Sequence, residues 1–141
     1  MRLFRIFAAL ALLAAPAPVL AADDDAAAEA MQEYMEFSEY LAGIILPHQI
    51  TEDIFKNVVF IDVRKVSEFQ AETIPGAVNI EWREVFARGD EIPEDKKVIL
   101  FCNTGVLSAQ AAFALRVAGR KNVLYLQRGL PGWKQSAPYK P

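Results

Sequence analysis

The sequence predicts an α/β domain, and two observations carry that reading. Five short apolar runs alternate with helical stretches, and most of those runs are continuous instead of alternating apolar with polar. A continuous apolar strand is buried on both faces, as in a parallel sheet covered by helices. Alternation of strand and helix implies right-handed crossovers within one sheet. Strands are expected over residues 44–46, 58–61, 77–80, 98–101 and 123–126, and helices over 51–55, 65–70, 82–88 and 108–118. The helix over 108–118 carries Ala111, Ala112, Leu115 and Ala118 as an apolar stripe. Gly119 follows where a helix-terminating glycine belongs. Residues 131–136 are expected to close the chain with a turn of helix.

With 141 residues, 53% of them hydrophobic and 23% charged, the chain has material for one real core and too little charge for a disordered polymer. The formal net charge is −3, and no Lys/Arg cluster offsets it. Nucleic-acid binding needs a basic face, so that class of partner is excluded.

The N-terminus reads as an export signal. Arg2 and Arg5 form a basic start, residues 6–15 an apolar run, and Pro16, Pro18 and Ala21 a breaker and small-residue cleavage site. The apolar run falls short of the ~20 residues that span a bilayer. Residues 1–21 are therefore expected to be a cleaved signal peptide, with a bacterial periplasm as destination and no membrane association afterwards. Residues 22–42 read as an N-terminal helical extension, with Met31, Tyr34, Met35, Ser38 and Leu41 at helical spacing. Its plain reading is a helix packed on the domain, and its sharper reading a partner surface. The domain proper is expected over 43–141.

Exported proteins usually spend cysteines in pairs, and this chain has one, Cys102. It is a buried bystander, an intermolecular link or a reactive thiol. Its surroundings favour the last. Cys102 stands where a strand ends, which is where ligand sites of parallel sheets lie. The loop that follows has Gly105 to let backbone N–H groups curl inward as an anion nest. A helix starting at Ser108 points its positive end at the same spot. These effects favour thiolate over thiol.

Several motifs then fall in a telling order. Phe60-Ile61-Asp62-Val63-Arg64 is followed by Glu68-Phe69, by Ile74-Pro75-Gly76-Ala77-Val78-Asn79-Ile80, by Cys102-Asn103-Thr104-Gly105 with Ser108, and by Gly129 and Trp133. Together they resemble the rhodanese family over roughly residues 43–140. The export signal, the small size and the C-N-x-G-x-x-S loop look most like the periplasmic thiosulfate sulfurtransferases of the phage shock protein E type. The resemblance implies a three-layer α/β/α domain around a five-stranded, largely parallel sheet. It also implies persulfide chemistry on Cys102, with backbone amides from Asn103, Thr104, Gly105, Val106, Leu107 and Ser108 as the anion cradle. Asp62 and Arg64 are implied supporting residues. No metal or organic cofactor is expected. A small sulfur-containing anion or a persulfide would be the donor, and a thiol or cyanide the acceptor.

The chain departs from the family where a loop cation often attracts thiosulfate, because Val106 and Leu107 stand there. Thr73 replaces a frequent histidine, and Arg128-Gly129 replaces a glycine pair. Two readings of Arg128 stand side by side: it supplies the missing positive charge, or it is a solvated surface residue. Arg64 and Glu68, four apart, are expected to form a structural ion pair. Trp82 either lines the pocket or packs in the core, Trp133 is expected in the core, and His48 has no assigned role. Two activities compete: a sulfurtransferase, and a catalytically weak binding or sulfur-sensing module whose apolar rim docks a protein partner. A phosphatase on a related loop would need an arginine where Ser108 stands.

Overall fold

The computed structural model describes residues 22–141, so the expected signal peptide lies outside the described residues. Five strands make one sheet: β1 (Ile44–Ile45), β2 (Val58–Asp62), β3 (Val78–Asn79), β4 (Lys97–Phe101) and β5 (Val123–Leu126). Their order is β1-β5-β4-β2-β3, and every pairing is parallel. β4 is central. Its register with β2 runs from Val58↔Lys97 to Asp62↔Phe101, so Asp62 ends beside the residue that precedes Cys102.

Because side chains alternate across a strand, β4 feeds two cores. Val98, Leu100 and Cys102 join Ala111, Ala112 and Leu115 of α4 (Val106–Val117) on one face. Ile99 and Phe101 join Ile50, Leu130 and Trp133 on the other, against α2 (Glu52–Asn57) and α5 (Gly129–Ser136). Burial on both faces explains the unbroken apolar run. Each fully buried aliphatic chain contributes about 1.5–3 kcal/mol. α2 starts where Thr51 Oγ1 accepts the Ile54 N–H at 3.3 Å, and α3 (Val66–Ala71) follows β2.

Three expected helix bounds are corrected. Residues 82–88 form hydrogen-bonded turns instead of a helix: Glu84 N–H donates to Glu81 O, Arg88 N–H to Glu84 O and Gly89 N–H to Phe86 O. Only Val85 of this segment is buried, so no apolar stripe holds a regular helix in place. α4 begins at Val106, two residues earlier than expected, because Gly105 at φ 96° turns the chain into it. The N-terminal helix, α1 (Ala22–Phe37), ends five residues short of the expected residue 42. It lies across α4, where the Tyr34 ring meets Phe113 edge-on at 5.4 Å and Arg116 Nε donates to the Tyr34 hydroxyl at 2.8 Å.

Candidate active site

Cys102 leaves the carboxyl end of the central strand and is only 2% exposed. Its sulfur faces polar donors even so. The Gly105 N–H donates to Sγ at 3.2 Å, and the Ser108 hydroxyl lies 3.5 Å from it. Burial by itself pushes the thiol up. The Ser108 hydroxyl and the N–H groups of Ser108, Thr104 and Gly105 oppose it, and the net pKa is lowered below the ordinary thiol value. The first turn of α4 adds the positive end of its dipole.

The cradle is built from sequence upward. Gly105 takes a left-handed conformation, and a Cβ there would sit 3.3 Å from the Arg128 nitrogen. Thr104 Oγ1 accepts the Val106 N–H at 3.3 Å, and the Ala109 N–H donates to Gly105 O at 2.9 Å as α4 begins. Ser108 is fully buried and sits inside the helix, its hydroxyl 3.1 Å from Gly105 O. Behind the loop, Leu130 N–H donates to Cys102 O at 2.8 Å. Gly129 backs so closely onto that carbonyl that a Cβ would lie 2.0 Å from its oxygen. No side chain larger than hydrogen fits there.

Asp62 and Arg64 form a buried cluster beneath the loop. Arg64 pairs with Asp62 at 2.6 Å through a two-pronged contact, and Thr73 Oγ1 donates to the same carboxylate at 2.9 Å. Thr73, expected to stand where relatives often have a histidine, thus helps to satisfy Asp62. Arg64 also donates to Asn103 Oδ1 at 3.0 Å, and Asn103 Nδ2 donates to Glu68 at 2.6 Å. The expected Arg64–Glu68 ion pair is therefore replaced by an Arg64–Asn103–Glu68 bridge. Hydrogen bonding to Asp62 raises the Arg64 pKa against burial, and the charges of Asp62, Glu68 and Cys102 act in the same sense. Glu68 and Glu72, whose carbonyl accepts from Arg64, were not singled out as site residues in the sequence. Their partners lie too far away along the chain for any local pattern to show them.

Val106 is 59% exposed and Leu107 36%, so the rim of the loop is apolar as expected. Arg128 is a non-glycine residue in the left-handed region, at φ 62°, and its guanidinium donates to Gln135. That contact points the charge along α5. Trp82 packs, half-buried, against the α4-side core, and Trp133 is buried on the opposite side. His48 lies exposed in a short 3-10 turn. Among the described residues no group of three or more His, Cys, Asp or Glu could hold a metal ion.

A parallel sheet whose central strand delivers a lone cysteine into a ring of N–H donors defines a domain built to hold an anionic sulfur. The chain belongs to the rhodanese-like domain family, whose pattern it matches over residues 47–136. Among its relatives, the protein named sulfurtransferase of Allochromatium vinosum is 32% identical over 78 residues, covering 55% of this chain and 73% of that one. YqhL of Bacillus subtilis is 37% identical over 79 residues, or 56% of this chain and 63% of that one. Another Bacillus subtilis relative, YrkF, is longer, and the matched region spans 44% of it. The crystal structure of a rhodanese-related protein from Thermoplasma volcanium superimposes with a TM-score of 0.60 at 25% identity. It covers 67% of this chain and 93% of that one.

Proposed function

We propose that the protein is an exported sulfurtransferase that carries a sulfane sulfur on Cys102. The observation that supports it most is the lowered pKa of a cysteine whose sulfur receives the Gly105 N–H at 3.2 Å. The thiolate attacks the outer sulfur of the donor. A new S–S bond forms on Cys102 as the donor's own bond breaks, and the electron pair leaves with sulfite (from thiosulfate) or with a thiolate (from an organic persulfide). The cradle then holds the terminal persulfide anion. Cyanide or an acceptor thiolate attacks that outer sulfur, giving thiocyanate or a new persulfide and restoring the Cys102 thiolate. Charge and atoms balance without cofactor or metal.

The apolar rim and the Arg128–Gln135 contact favour an organic persulfide over thiosulfate as donor, because Val106 and Leu107 stand at the rim and Arg128, among the described residues, turns its charge to Gln135 and away from a small dianion. The signal-like N-terminus supports a periplasmic site for the reaction. Intact mass after incubation with each donor tests the reading. One added sulfur, lost on cyanide treatment and absent in Cys102→Ser, is expected, with the organic persulfide loading faster. A chain that gains no sulfur from either donor is instead a binding or sensing module, the reading that the uncharged rim would then favour.

A further inference from the structure

At the carboxyl edge of the sheet lies an open cavity of about 400 Å³, within the ~300–1,000 Å³ of small-molecule sites. Arg64, Glu72, Asn103, Leu130, Lys134 and Gln135 stand on its walls. Arg64, Asn103 and Leu130 follow the ends of β2, β4 and β5, the edge on which ligands of open parallel sheets sit. Cys102 stands on the same edge. Two residues join the cavity to the cradle. Asn103 belongs to both and directly follows the nucleophile. Arg128 has its backbone nitrogen 3.3 Å from where a Gly105 Cβ would sit, and its guanidinium donates to Gln135. The charge of Cys102 also reaches Arg64 and helps to raise its pKa.

The polar groups on these walls are spent unevenly. A guanidinium has five N–H donors. Arg64 is only 7% exposed, and four of its donors are taken: Nε and one N–H of Nη2 by Asp62, the other N–H of Nη2 by the Glu72 carbonyl, and one N–H of Nη1 by Asn103 Oδ1. The second Nη1 N–H has no partner among the described residues, and an unmade hydrogen bond is costly at a buried donor. The Gln135 amide gives its oxygen to Arg128, which leaves its NH2 to donate. Lys134 and Glu72 meet at 2.6 Å, but both are about half exposed, at 51% and 55%. Exposed pairs contribute little, so a ligand can part this one and find an ammonium beside a carboxylate. Leu130, buried, adds an apolar surface.

We propose that this cavity holds the α-amino-acid end of the sulfur donor, a small persulfide of the cysteine type. The inference rests on the persulfide reading for its chemistry. The ligand carboxylate would take Lys134, the Gln135 NH2 and the spare Arg64 N–H, in charge-assisted hydrogen bonds. Its ammonium would take the Glu72 carboxylate. Glu72 selects a zwitterion over a plain dianion, because like charges in contact are destabilising. The Cys102 thiolate takes the outer sulfur, and the amino acid departs with the electron pair as its own thiolate.

Binding can be measured apart from transfer. The full Cys102→Ser chain is titrated with S-methyl-L-cysteine, which has no transferable sulfur, with its methyl ester and with its N-acetyl derivative. NMR shifts of the Asn103 and Gln135 side-chain amides report occupancy. The zwitterion is expected to bind about tenfold tighter than either derivative. Lys134→Gln should weaken the zwitterion about tenfold yet bind the ester as well as before or better, since Glu72 is then released. Glu72→Gln should do the same for the zwitterion and spare the N-acetyl derivative. Equal binding of all three ligands, or zwitterion binding that neither substitution weakens, would overturn the proposal. Transfer links the cavity to the sulfur. The wild-type chain is offered cysteine persulfide and ethyl persulfide, and loading is followed by intact mass. Cysteine persulfide should load about tenfold faster, and Lys134→Gln should bring the ratio toward one. A ratio that neither Lys134→Gln nor Glu72→Gln changes would overturn the donor role of the cavity. Selective binding in a chain that neither persulfide loads would sink the persulfide reading and leave the amino-acid site standing. Loading by both persulfides at one rate, without selective binding, would do the reverse.

Discussion

Asp62 has no exposed surface, so its negative charge depends on the groups that meet it. Arg64 supplies two side-chain contacts and a backbone N–H, and Thr73 supplies a hydroxyl. Removing one partner of a buried pair costs far more than the pair contributes, because the survivor is left charged in a low dielectric. Arg64→Leu should therefore destabilise the domain by about 3–5 kcal/mol. Adding Asp62→Asn should recover part of that loss, and denaturant midpoints of the two chains would show it. Arg64 also steadies Asn103, so both variants should load sulfur more slowly even under conditions where they are folded. The local parts of this site were legible in the sequence: a cysteine at a strand end, a glycine to turn the loop, a serine in reach of the sulfur. The bridge from Arg64 through Asn103 to Glu68 was not. Those contacts close over 39 and 35 residues of chain, and the helical spacing rule could only offer the nearby Arg64–Glu68 pair.

At the scale of the element, the turn from β5 into α5 shows how one residue commits another. Arg128 at φ 62° and Gly129 at φ 54° take successive left-handed conformations to bring the chain against Cys102 O. A left-handed side chain costs roughly 1–2 kcal/mol. It also projects a Cβ that has room only because Gly132, one turn on, has none: a Cβ at Gly132 would lie 2.5 Å from that of Arg128. Gly132→Ala should destabilise the domain by about 1–3 kcal/mol. In an Arg128→Gly background the penalty should shrink, and Arg128→Gly alone should stabilise by about 1 kcal/mol. A four-member cycle of thermal or urea unfolding measures the coupling; strictly additive values would disprove it. The sequence showed the arginine replacing a glycine but not the neighbour that makes the replacement tolerable, since that requires the turn to be in place. Strands were easier to read. Burial on both faces leaves an unbroken apolar run, and all five lie within a few residues of their expected bounds. The segment 82–88 misled because Val85 is its lone buried residue, and charged neighbours mimic the polar face of a helix.

For the whole molecule, ionisation of one sulfur becomes a pH dependence of folding. The Cys102 pKa is lowered in the folded chain, so between its folded value and the ordinary thiol value near 8.5 the unfolded chain binds more protons. Stability from this source is fully present above the unfolded thiol pKa and fades as pH falls through the folded one. The stability gap between wild type and Cys102→Ser should therefore widen as pH rises through that window and level off above it. Urea titrations of both chains at several pH values measure the gap. A gap that stays flat, or narrows with rising pH, would mean that the cradle prefers the protonated thiol.

β4 is paired along both edges and sits in the middle of the sheet, and strands so placed tend to be the last to open when a fold fluctuates. Cys102 follows directly on its final residue, Phe101. Local breathing of the outer strands therefore leaves the sulfur sheltered, and reagents must arrive through the loop mouth of the intact fold. Alkylation of Cys102 should accordingly proceed at a rate that mild denaturant barely changes, whereas amide hydrogens of Ile99 and Leu100 exchange only when the entire domain comes apart.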